Sequence, residues 1–317
     1  MTKQNLEESL KDEAIFFDKL IKNRIKNKQI PLQADFRRAT KFIPKDGDSW
    51  AEIIDPKMFD IVEGKLHKEL LNRIIKNGGN VLDICCGPGA LSLELARNGL
   101  IVNGYDISQQ AIKTANKMLE ENPYVDNFGV LKYECLDVNK IDFENKKDIS
   151  TIVGISAFHH IYELQNFLDN CYNSLKDDGL MVTLDDIGFT KTDYFIKNLL
   201  LFILPKYGTT YKEKFQRLFK YIFSGEKVSN EIFSPMEIWA SKHDIASNDI
   251  VDFWHNKLKI EKVIYFGAFS IQVCNSIKGP DFFRYNVAKI LTRLDSFLIK
   301  IGICRGFYRI MYATKSK

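Results

Sequence analysis

Apolar residues recur at helical spacing near the start of the chain. Leu6, Leu10, Phe17, Leu20, Ile21 and Ile25 lie among Lys, Glu and Asn, which predicts an amphipathic helix over 5–28 that stops before Pro31. A polar loop is expected from there to about Asp48. Asp55 and Pro56 have the form of an N-cap and a first helical residue, and Met58, Ile61, Val62, Leu66, Leu70, Leu71 and Ile74 carry a second helix to Gly78-Gly79. The period then changes. Short apolar runs predict strands over 80–85, 100–105, 129–135, 149–155 and 179–185, separated in part by helices over 89–98, 108–121 and 162–175. This alternation predicts an α/β architecture, a mostly parallel sheet covered on both faces.

Residues 189–234, rich in Phe, Leu, Tyr and Lys, interrupt the alternation and read as a helical cap that includes the apolar run 199–205. Helical character returns over 236–243 and 247–257. Residues 258–266 and 268–274 then read as two strands joined at Gly267, a hairpin that closes the sheet. Phe283, Val287, Ile290, Leu291, Leu294, Phe297, Leu298 and Ile301 form a last helical stripe, with Arg284, Lys289, Arg293 and Lys300 off it. The expected organisation is an N-terminal helical segment over 1–78 covering the site, a core over 79–277 with its cap, and a basic amphipathic helical tail over 278–317.

Composition changes this picture in two places. The net charge of +4 is uneven: Lys278 to Lys317 holds nine Lys or Arg against two Asp, which is +7 and leaves −3 for the rest. Such a tail either packs as a terminal helix or attaches to anionic lipid. Its cations are interleaved with an apolar stripe, which suits a packed or lipid-facing helix better than tracking nucleic-acid phosphates. The six cysteines (Cys85, Cys86, Cys135, Cys171, Cys274, Cys304) show no CxxC pair, so neither a disulfide framework nor a zinc site is indicated, and they are expected as reduced packing residues. The first residues alternate charges instead of forming a signal peptide, and no apolar run approaches the roughly 20 residues that span a bilayer. The expected location is the cytoplasm, with the tail able to bring the protein to the inner face of a membrane. The oligomeric state is not legible.

The chemistry gathers around residues 81–99. A buried strand, a turn holding Gly87 and Gly89, and the opening of a helix form a cradle for a nucleotide-like cofactor. Asp106 ends the next strand about twenty residues on, where an acid meets a ribose diol. A nicotinamide or flavin fingerprint would place a third glycine where Ser92 stands, which weakens that reading.

What the stretch resembles is motif I of the class I S-adenosylmethionine-dependent methyltransferases, with Asp83, Gly87 and Gly89 at the matching positions. Asp106 in Gly-Tyr-Asp-Ile-Ser, Asp137-Val138, the segment Ile155-Ser-Ala-Phe-His-His-Ile161 and the turn Leu175-Lys-Asp-Asp-Gly179 follow in the order the family shows. The last departs from the family's usual Pro-Gly or Gly-Gly. The resemblance implies a Rossmann-like seven-stranded sheet with an antiparallel C-terminal hairpin. It implies S-adenosylmethionine as cofactor and S-adenosylhomocysteine as product, held by Asp83, Cys85, Gly87, Gly89, Asp106, Ile107, Asp137, Val138 and Ser156. Asp83 would face the ammonium, amides near Gly87 and Gly89 the carboxylate, Asp106 the ribose and Asp137 the adenine.

The cofactor brings its own electrophile, so such an enzyme aligns an acceptor in line with the methyl and removes a proton if the acceptor is a hydroxyl. His159 and His160 stand where the family borders the methyl group, and histidine suits that proton transfer. They are the expected catalytic residues, against the alternative that both only pack the loop. Asp185 and Asp186 are further candidates for orienting a hydroxyl; no metal is expected. The signature of base or amide nitrogen methylation is absent after Val153, where Gly154 to His160 stands, so nucleic acid is not the expected partner. The expected acceptor is a small, sugar-linked or lipid-linked molecule methylated on oxygen. The competing function is a non-catalytic S-adenosylmethionine-binding scaffold or partner subunit that keeps the fold.

Overall fold

The computed structural model describes residues 3–26, 55–122, 125–206, 208, 210–224, 234–236 and 248–316. The polar loop expected up to Asp48, and all but the first residue of the helix expected over 236–243, lie outside the described residues.

Seven strands form one sheet in the order β3-β2-β1-β4-β5-β7-β6. The strands are β1 (Asn80–Ile84), β2 (Ile101–Asp106), β3 (Val130–Cys135), β4 (Ile149–Ile155), β5 (Leu175–Asp186), β6 (Leu258–Phe266) and β7 (Tyr308–Lys315). The first five are parallel, and β7 runs antiparallel to both β5 and β6. The Rossmann-like, mostly parallel sheet with antiparallel C-terminal strands is therefore present. Continuous apolar runs in β1, β4 and β5 follow from burial on both faces: Leu82, Ile84, Ile152, Val153, Leu180 and Val182 are fully enclosed. Each such side chain stabilises the fold by about 1.5–3 kcal/mol.

β1 lies between β2 and β4, so the chain reverses its winding direction there. At such a switch point the loops leaving the carboxyl ends splay to opposite faces and open a crevice. Asp83 sits near the end of β1, in register with Gly104 of β2 and Val153 of β4.

The antiparallel pair differs from the expected hairpin. β6 forms as expected, but Ser270–Ser276 is a helix, and the partner of β6 is β7 from the end of the chain. The buried carboxylate of Asp295 explains the helix. It accepts hydrogen bonds from the amides of Ala268 (3.3 Å), Phe269 (3.1 Å) and Ser270 (2.7 Å), the donors that a helix start leaves unsatisfied.

Residues 278–317 thus do not form a mere appendage: they supply an inner strand of the sheet and the helix Asp281–Lys300. That helix is fastened to the helix Pro56–Phe59. Asp55 caps the latter, accepting from the amides of Lys57 and Met58, and is itself held by the Tyr285 hydroxyl (2.8 Å) and the Arg284 guanidinium (3.2 Å).

The helix Lys3–Lys26 packs beside the helix Gln109–Glu120. Asp18 accepts from the Ser108 hydroxyl (2.7 Å) and the Gln110 amide (2.9 Å), two groups at the start of the latter helix. The cap contributes the helices Lys191–Ile203 and Tyr211–Ser224. Among the described residues no helix is long and apolar enough to cross a membrane.

Candidate active site

The turn after β1 has unusual backbone geometry. Cys85, Gly87 and Gly89 all have positive φ, at 52°, 54° and 77°. A Cβ on Gly89 would lie 2.4 Å from the Tyr133 hydroxyl, whereas one on Gly87 would meet nothing within 4 Å. Gly89 is thus set by packing under the turn, and Gly87 faces open space where a ligand can approach the backbone. The Tyr133 hydroxyl donates to the Gly89 carbonyl at 2.8 Å and braces the turn from β3.

Two carboxylates stand behind it. Asp106 is buried and accepts from the Gly87 amide (2.8 Å) through one oxygen and from the Ser108 amide (2.8 Å) through the other. Each oxygen keeps a lone pair for a further donor. Asp83 accepts from the Ser92 hydroxyl at 2.5 Å. Ser92, which stands where a dinucleotide fold places a third glycine, is therefore a partner of the acid.

Burial pushes the Asp83 carboxyl up to about 7, against the Ser92 hydrogen bond, and the nearby Asp106 raises it further. Burial likewise pushes Asp106 up to about 6, against the two amide hydrogen bonds. The same burial and the same two acids drive the Cys85 and Cys86 thiols well above their ordinary range. This opposes a thiolate nucleophile and fits the expected packing role.

Further along the rim, Ile107 is half-buried and its carbonyl faces the Cys135 thiol. Asp137 caps a short turn at Val138–Lys140, accepting from the Asn139 amide at 3.0 Å, and Val138 packs into the core. The second oxygen of Asp137 is buried, and the Tyr162 hydroxyl stands beside this carboxylate.

The loop after β4 forms the opposite wall. Ser156, with φ at 49°, donates from its hydroxyl to Asp186 at 3.2 Å. His159 and His160 occupy a single turn of 3-10 helix, with ring centroids 4.1 Å apart. His159 Nδ1 lies 3.9 Å from Asp185, whose buried oxygens accept no hydrogen bond among the described residues. His160 Nδ1 lies 2.8 Å from Glu13 of the helix Lys3–Lys26.

The geometry brings together every residue expected at the cofactor turn and both histidines, and adds Glu13, Asp18, Ser92 and Tyr133. The signal for Ser92 was the missing glycine. Nothing local marks Glu13, because its partner lies 147 positions away in a different element.

A family model described as a methyltransferase domain matches residues 81–179, the span from β1 into β5. The chain is 30% identical over 196 residues to a ubiquinone biosynthesis O-methyltransferase of Glaesserella parasuis, covering 57% of this chain and 71% of that protein. The chain belongs to the class I S-adenosylmethionine-dependent methyltransferases.

A Coxiella burnetii protein with the same description is 24% identical over 229 residues, covering 72% of this methyltransferase and 89% of its relative. Among solved structures, a magnesium protoporphyrin IX methyltransferase from Synechocystis with bound S-adenosylhomocysteine covers 96% of the chain at 14% identity, with a TM-score of 0.46. The methyltransferase-domain match and the O-methyltransferase relative make this chain an S-adenosylmethionine-dependent enzyme.

Proposed function

We propose that this methyltransferase methylates a ring hydroxyl of a lipid-like, quinone-type small molecule, with the His159–His160 pair providing the base. The observation that carries this reading is two imidazoles, each facing a carboxylate, on the wall of the cofactor crevice. A hydroxyl holds its proton too tightly at neutral pH to attack unaided, and an imidazole near its own working range is the matched acceptor. When bound, the cofactor supplies a methyl group on a cationic sulfur that leaves as a neutral thioether.

The chain's own residues do the rest. Asp83 would offer charge to the cofactor ammonium, Asp106 would accept from the ribose diol and Asp137 from the adenine amine, whereas the expected amides of the Gly87 turn are already donated to Tyr105, Asp106 and Cys86. His160 takes the acceptor proton as the new carbon–oxygen bond forms, and Asp185 faces His159 beside it at 3.9 Å, as a nearby charge and not a hydrogen-bond partner. The sequence similarity to ubiquinone-pathway O-methyltransferases supports oxygen on an apolar ring as the target. A farnesylated catechol is the probe: product formation from it, and none from its dimethoxy analogue, is expected, and equal labelling of a protein or nucleic-acid acceptor would contradict the reading.

The raised Asp83 carboxyl gives this site a pH signature. A cation binds it only when it is ionised, and with its midpoint at about 7 in the free protein it is mostly neutral at pH 6. Affinity for S-adenosylmethionine is therefore expected to fall about tenfold from pH 8 to pH 6. Calorimetry at the two pH values checks this, and a flat profile would contradict the role given to Asp83.

A peripheral membrane contact belongs to the same proposal. The helix Asp281–Lys300 buries Ala288, Leu291 and Asp295, yet Ile290 is 63% and Phe297 56% exposed, with Leu294 and Ile301 on the same outer side. Lys289, Arg293 and Lys300 flank this strip and are exposed. An apolar ridge bordered along one side by cations suits an anionic lipid surface, from which a lipid-like acceptor would enter. Deleting 278–317 would remove β7, so the test is a surface variant, Ile290→Ser with Phe297→Ser. Flotation with phosphatidylglycerol vesicles is expected for the parent and reduced at least about fivefold in the variant, since each apolar contact adds to partitioning. A parent that stays at the bottom of the gradient would contradict the contact.

A further inference from the structure

Glu13 carries a charge that a buried position tolerates only when it is paired. It is 2% exposed, on the same face of its helix as Phe17 and Ile21, which lie one and two turns further on. Its carboxylate accepts from three groups drawn from remote parts of the chain. These are His160 Nδ1 at 2.8 Å, the Ser234 hydroxyl at 2.9 Å and the Met236 amide at 2.9 Å. Phe17 sets its ring edge-on to the His160 imidazole, with centroids 5.4 Å apart. The Glu13 charge also reaches Asp106 and Cys85 across the crevice. The other end of the same face of the cleft is secured by Asp18 on Ser108 and Gln110.

A carboxylate at hydrogen-bond distance from one imidazole nitrogen decides the tautomer. Nδ1 must carry the hydrogen that it donates to Glu13, which leaves the lone pair on Nε2. The negative charge also stabilises the imidazolium that a base becomes after taking a proton. We propose that Glu13 is a positioning residue of the methyl transfer, which fixes His160 as the Nδ1–H tautomer with Nε2 as proton acceptor, so that the base is complete only when the helix Lys3–Lys26 is docked.

The proposal rests on the reading of His160 as the base. In the step it serves, the acceptor oxygen gains a bond to the methyl carbon and the sulfur–carbon bond breaks with its electron pair staying on sulfur. The acceptor proton moves to Nε2 of His160, and Glu13 keeps its charge throughout. His160 then releases that proton to water. The charged and titratable groups facing His160 among the described residues are Glu13 on the N-terminal helix, His159 beside it on the same turn and Asp185 behind His159 on β5, with Asp106 further across the crevice.

The test reads the imidazole directly. Full-length protein carrying nitrogen-15 histidine is titrated with S-adenosylhomocysteine bound, and the His160 signals are assigned by their loss in His160→Gln. The parent is expected to show the Nδ1–H tautomer. Glu13→Gln is expected to show a mixture, with the His160 midpoint moved to lower pH by about one unit. Should Glu13→Gln fail to fold, Glu13→Asp, one methylene short of His160, is expected to weaken the tautomer preference in the same direction. Unmoved signals in the variant that folds would overturn the proposal, whatever happens to its melting temperature.

Turnover on the farnesylated catechol separates the two readings. Glu13→Gln is expected to lower kcat about tenfold or more with acceptor KM within about twofold, and to add no further loss in a His160→Ala background. A slow His160→Ala with additive losses would overturn the role of Glu13 alone. A His160→Ala enzyme at the parent rate would overturn the base reading, and the role of Glu13 in the reaction with it.

Discussion

Alanine in place of His160 is expected to lower turnover by about 10²–10⁴-fold and to leave cofactor affinity within about twofold. The expected split follows from position. His160 stands on the loop after β4 and faces Glu13, whereas the groups that fit the cofactor belong to β1, β2 and the turn before Val138. Loss of the imidazole would remove the proposed proton acceptor but none of the donors and acceptors at the cradle. The loss should grow as the acceptor hydroxyl becomes less acidic, because a weaker acid depends more on the base. Initial rates of S-adenosylhomocysteine formation, with calorimetry of the cofactor, check both halves. Equal rates for parent and variant, with folding intact, would leave the histidines as packing residues.

Asp106→Ala is expected to weaken S-adenosylmethionine binding by about 1–3 kcal/mol, or roughly 5–150-fold. Two effects contribute. The diol loses a charged acceptor, and the Gly87 and Ser108 amides lose the partner that holds the turn in shape. Asp106→Asn separates them, since it can keep one acceptor toward the turn while removing the charge. A loss in Asn nearly as large as in Ala assigns the effect to charge at the ligand; a small loss in Asn assigns it to the turn. Affinity unchanged in both would remove Asp106 from the site.

Much of this site could be read along the chain because its parts are local. Asp83, Gly87 and Gly89 occupy one strand and its turn, and Asp106 lies one βα unit later, so spacing alone sets them at one sheet edge. Glu13 was not legible. It stands in a charged, amphipathic helix where every Glu resembles a solvated one, and only tertiary docking shows that this carboxylate faces inward. The same limit applied at the end of the chain. The run 268–274 is too short for periodicity to separate strand from helix, and the decision falls to Asp295, more than twenty residues away. β7 is hidden for a related reason: its Arg309 and Lys315 read along the chain as part of a basic helical tail, while its apolar residues Ile310, Met311 and Tyr312 are buried between β5 and β6.

The tail helix illustrates how one sequence pattern can serve two surfaces. Its apolar residues read as one stripe, yet the structure divides them between a packed side holding Leu291 and an outer side holding Ile290, Leu294 and Phe297. A helix that only packed would need the first set alone. The second set is what leads to a lipid surface in the proposal.

A crystal structure with S-adenosylhomocysteine bound tests the central claim most directly. The account predicts density at the carboxyl ends of β1, β2 and β4, with the ribose on Asp106, the adenine amine on Asp137 and the thioether sulfur facing the His159–His160 turn. Density elsewhere, or a crevice filled by protein side chains while the cofactor binds in solution, would contradict it.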